Sequence, residues 1–110
     1  MLRSAIIACC LLVPPLPAYA EDFTNTMFLA WDRQSQAGFF RTAIKTAALV
    51  IIRNNEQRGI CIDRWYGSNP DQKEAYMLDI MRKYPDHHPV GIVLAVLEKQ
   101  CGSAIFTNHR

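Results

Sequence analysis

No apolar run in this chain reaches the ~18 residues that a membrane-spanning helix requires. No block of like charge occurs either, which excludes a charged tail and a lipid-surface patch. There is no C-x-x-C redox motif, no Gly-x-Ser-x-Gly setting for a nucleophile, and no pair of histidines four residues apart to bind zinc on a helix. Repeats, low-complexity tracts and linkers are absent too. Lysine and arginine together number 12 against 10 acidic residues, too even a balance for the basic cluster that marks a nucleic-acid binder.

What is there begins with a leader-like N-terminus. Arg3 gives a short positive region, residues 5–13 an apolar core, and Ala18-Tyr19-Ala20 a small-x-small cleavage site. This layout predicts a cleaved signal peptide over residues 1–20 and export of the remainder. Pro14-Pro15 ends the apolar stretch too early for an anchor, and the run before Cys9 is too short for a lipoprotein site. Residues 21–110 are then expected to form a single domain. Cys9 and Cys10 leave with the leader, so Cys61 and Cys101 remain as an even count in an oxidising compartment, and one disulfide between them is expected. Closing a loop of this size stabilises by ~4 kcal/mol in the chain-entropy description. Small folds, with typical stabilities of ~5–15 kcal/mol, gain much from such a staple.

Apolar spacing predicts helices throughout. Phe23, Met27, Leu29, Ala30 and Trp31 point to a first helix over residues 22–34, and residues 35–38 read as a break. Residues 39–53 carry Phe40, Ile44, Ala47, Ala48 and Ile51 on one face. Leu49, Val50 and Ile52 widen that stripe almost all round, which predicts the most buried helix of the domain. Residues 54–59 read as a polar connector, and residues 60–67 as a segment too short for an ordinary helix. Ser68-Asn69-Pro70 then starts a third helix running to about Tyr84, with Met77, Leu78, Ile80, Met81 and Tyr84 inward. Asp71, Lys73, Glu74, Asp79, Arg82 and Lys83 are expected to face water. The last helix spans residues 89–101, its stripe formed by Val90, Val93, Leu94, Leu97 and Cys101, with Gly102 as its stop. The expected architecture is all-α: a small four-helix domain with one disulfide.

The stretch Tyr84-Pro85-Asp86-His87-His88-Pro89 is the most site-like in the chain. Three or four converging ligands are needed for a metal, and adjacent histidines point in different directions. Pro89 suits a first helical turn, Asp86 can accept amide hydrogen bonds there, and His88 is pushed to an extended conformation by the proline after it. A helix-start turn is therefore expected, with no metal, no cofactor and no catalytic residue. Its imidazoles could still make the turn responsive to pH. The segment Asp63-Arg64-Trp65-Tyr66-Gly67 offers the three residue types enriched in binding hot spots, so Arg64, Trp65 and Tyr66 are the candidate contacts for a protein partner.

Residues 61–102 resemble the C-terminal half of the Rap/Tai family of immunity proteins. Cys61, Tyr84, His88-Pro89, Leu94, Leu97 and Cys101 occupy the family's cysteine, helix-end, turn and closing-helix places. The first half departs from the pattern, because it lacks the second cysteine pair that members often carry. The resemblance implies a helical, non-enzymatic domain in the periplasm of a Gram-negative bacterium. Such a domain would bind and neutralise a cell-wall amidase delivered as a toxin. The architecture is also similar to that of HdeA-type acid-stress chaperones, whose role is the alternative. Either way the expected partner is a protein, not nucleic acid or membrane.

Overall fold

The structure, a computed structural model, describes residues 22–102. The expected leader and its cleavage site, and the tail of residues 103–110, lie outside the described residues. The described chain is all-α, with five helices rather than four. They are α1 (Asn25–Leu29), α2 (Arg33–Ile52), α3 (Glu56–Gly67), α4 (Pro70–Lys83) and α5 (Pro89–Cys101). Among the described residues no helix is long and apolar enough to cross a membrane.

The additional helix and the shifted boundaries begin at local caps, and in α3 packing against α2 adds to them. The first helix stops at Leu29 because Asp32 starts another: its carboxylate accepts from the Ser35 amide at 3.3 Å and the Ser35 hydroxyl at 2.7 Å. The expected break at residues 35–38 is thus interior to the 20-residue α2. The expected connector and short segment of residues 54–67 are mostly α3, a 12-residue helix whose cap Asn55 accepts from the Arg58 amide at 3.1 Å. Gly59 falls inside α3 because α2 lies against it. A Cβ at Gly59 would come within 2.7 Å of the Ile52 Cβ and 2.9 Å of the Ala48 carbonyl oxygen. α4 starts as expected, with Asn69 as cap and Pro70 in its first turn. α5 also keeps its expected span, and Gly102, at φ +115°, closes it in a backbone region that favours glycine.

Every helix contributes to one core. Phe28 of α1, Phe40 and Ile44 of α2, Ile62 of α3, Met77 of α4 and Leu97 of α5 are fully buried. Each such side chain contributes about 1.5–3 kcal/mol relative to exposure. The Cys61 and Cys101 sulfurs are 2.04 Å apart, joining α3 to the end of α5.

Three expectations about burial are corrected. Glu74, expected in water, is only 2 % exposed. In the other direction, Leu49, Val50 and Ile52 do not complete a buried helix: they are 68 %, 53 % and 37 % exposed. Tyr84, expected on the inner stripe, is exposed one residue beyond α4, its ring 5.2 Å from that of His87.

Candidate functional site

The turn between α4 and α5 is built as a docking point for α1. The Asn25 amide donates to the His87 carbonyl at 2.8 Å, and the Asn25 side-chain amide donates to the Tyr84 carbonyl at 2.7 Å. The amide and hydroxyl of Thr26 both donate to the Pro85 carbonyl, each at 3.1 Å. The turn's carbonyls are therefore satisfied by a segment about sixty residues earlier in the chain, which answers the requirement that buried backbone groups be paired. Asp86 does not cap α5, contrary to expectation. His88 does so, its Nδ1 accepting from the Val90 amide at 3.1 Å. The described residues contain no cluster of three side chains able to hold a metal ion.

Arg64, Trp65 and Tyr66 diverge, because consecutive residues on α3 point about 100° apart. Arg64 is exposed. Tyr66 is not available as a surface contact: it is buried, and its hydroxyl donates to Glu74 Oε2 at 2.5 Å. Glu74 Oε1 accepts from Arg33 Nη2 at 2.6 Å, so one carboxylate ties α2, α3 and α4 together. Burial first, and then the bond to Glu74, push the Tyr66 phenol above its ordinary range. Both oxygens of the Glu74 carboxylate are thus engaged, one by Tyr66 and one by Arg33.

Trp65 is half-buried at the surface. The Lys73 ammonium lies 5.5 Å from its ring centroid and donates to the Ser68 hydroxyl at 2.9 Å. With Gln72, Tyr76 and Gln100, these two residues line a shallow concavity of about 310 Å³ beside the disulfide. Aromatic and cationic groups meet here, as they do in protein contacts.

An apolar concavity lies elsewhere. Ala43, Ala47 and Val50 of α2 face Val90, Val93 and Leu94 of α5 across a groove of about 390 Å³. Thr42 and Thr46 form part of its wall, and no charged side chain lines it. Small residues in the trough let an incoming backbone approach closely, while the branched residues flank it. Leu49, next to Val50 in the chain, is also exposed. Sequence reasoning missed this surface, although its signal was visible: a helix apolar nearly all round in a domain with too few partners to enclose it.

Comparison with known proteins adds no relative. No family model, no curated protein and no solved structure matches the chain.

Proposed function

We propose that this chain is a periplasmic, non-enzymatic protein-binding domain that seats an apolar helical segment of its partner in the α2–α5 groove. The observation that carries this reading is the charge-free groove beside the exposed Leu49 and Val50. Contiguous exposed apolar surface of this kind marks interaction sites, and a groove between two helices suits a helix laid into it. The disulfide and the Tyr66–Glu74–Arg33 network hold the flanking helices, which keeps the ordering cost of binding low. The resemblance of residues 61–102 to the immunity proteins makes a secreted cell-wall amidase toxin the partner class. A specific complex would bury roughly 1,200–2,000 Å², with Trp65 and Arg64 as additional contacts where the footprint extends to α3. The test is inhibition of such an amidase by the purified, oxidised protein in equimolar amounts. Stoichiometric inhibition supports the reading. An amidase unaffected at excess protein, with no complex on a sizing column, removes the toxin assignment.

The alternative, an acid-stress chaperone, draws on a different observation. The Arg33–Glu74 ion pair joins α2 to α4, and in acid the excess of cations would repel one another and loosen so small a domain. Suppression of client aggregation only after acidification would favour this alternative. A protein that stays folded and indifferent to clients in acid would exclude it.

A further inference from the structure

The α4–α5 turn carries a feature that partner binding does not use. His88 has two jobs at once. Its Nδ1 accepts from the Val90 amide at the start of α5, and its ring meets that of Phe23 at 5.4 Å, close to perpendicular. Phe23 in turn stacks on Trp31 at 5.3 Å, and both rings pack against the buried Phe28. The carbonyl immediately before His88, that of His87, receives the Asn25 amide. A single imidazole thus sits where the cap of α5, the aromatic cover and the anchor of α1 meet.

We propose that His88 is a proton-operated latch that tightens the hold of the turn on α1 near neutrality and loosens it in mild acid. An imidazole accepts at Nδ1 only while that nitrogen carries no proton. Protonation there removes the acceptor from the Val90 amide and places a positive charge at the positive end of α5. Both effects act against the closed turn. The opposing contribution is attraction between the imidazolium and the Phe23 ring, which at an exposed position is the smaller of the two effects combined. The ionisable neighbours are Asp22 beside Phe23, Tyr84, Asp86 and His87 in the turn, and Lys83 at the end of α4. None forms an ion pair with His88 among the described residues, and the first turn of α5 brings no acidic residue. Once the turn relaxes, Asn25 loses the geometry of its two bonds, and the contact of the Phe23 ring with His88 weakens with them. This proposal is independent of which partner, if any, fills the α2–α5 groove.

The test is amide exchange of the whole oxidised protein followed by NMR from about pH 8 to about pH 5, the interval in which imidazoles take up a proton. Rates are corrected for intrinsic exchange, and the ring nitrogens of His87 and His88 are followed in the same samples. Protection of the Asn25 and Thr26 amides should fall about tenfold relative to the Ile44 amide, tracking the protonation of His88. His88→Asn keeps a capping acceptor that takes no proton, so it should hold that protection across the range. His87→Asn should leave the response intact. Protection that is independent of pH, or that follows His87, would overturn the latch. The wild-type curve decides the question even if the His88→Asn variant does not fold.

Discussion

The two sides of α2 depart from the ordinary distribution of residues in opposite directions. Toward α3 and α4 it places Arg33 against the buried carboxylate of Glu74, in a polar contact that the domain has enclosed and satisfied. Toward α5 and solvent it shows Val50 and Leu49, with Ala43 and Ala47 in an uncharged trough that the domain has left open. On the enclosed side the Glu74 carboxylate accepts from both Tyr66 and Arg33. The open side is unfinished, because apolar area in contact with water is area a partner can cover. An ion pair to a buried carboxylate thus lies on one side of α2, and exposed apolar area on the other.

The largest expected effect breaks the scaffold on which both sides depend. Replacing Cys61 and Cys101 together by serine should cost about 4 kcal/mol of unfolding free energy, read from urea denaturation of the oxidised wild type and the double variant. A loss below about 1 kcal/mol would show that the helices hold α5 without the staple.

Next comes the enclosed side alone. Glu74→Ala leaves the buried Tyr66 hydroxyl without its acceptor and Arg33 without its counter-charge. Arg33 is half exposed and can turn to water, so the loss should be about 3 kcal/mol, at the lower end for a broken buried pair. The same network predicts a pH dependence. The Tyr66 phenol is raised by burial and by Glu74, so the folded state keeps a proton that the unfolded state releases. Its contribution is fully present below about pH 10 and is lost as pH rises beyond that. Thermal melts of Tyr66→Phe should therefore show a shallower alkaline decline than the wild type, from a lower starting stability.

The smallest expected effect on stability belongs to the open side. Val50→Lys changes a residue that is 53 % exposed, so the unfolding free energy should move by no more than about 0.5 kcal/mol. A larger loss would show that the groove belongs to the core after all.

The legible parts of this fold were those decided by residues close in sequence. Asn69-Pro70 and the Pro85–Pro89 interval located α4 and α5 to within a residue, because capping and proline geometry act locally. The cysteine pairing followed from there being only two candidates beyond the expected leader. α3 was hidden because Gly59 and its polar neighbours read as a connector. The reason for that glycine is the backbone of α2, which no local pattern shows. Glu74 was misplaced for a similar reason: its burial depends on Arg33, 41 positions away, and on Tyr66. The proposed latch was half legible. The histidines were visible as groups able to titrate, but their partners, Phe23 and Asn25, become neighbours only when the chain folds back.

The central claim is that the open side of α2 receives a protein. The most direct measurement is affinity capture from periplasmic and secreted fractions with the oxidised protein and with Val50→Lys, the folding of each confirmed by its melt. The account predicts one stoichiometric partner held by the wild type and lost from Val50→Lys. A partner held equally by both, or no stoichiometric partner in any fraction, would contradict it.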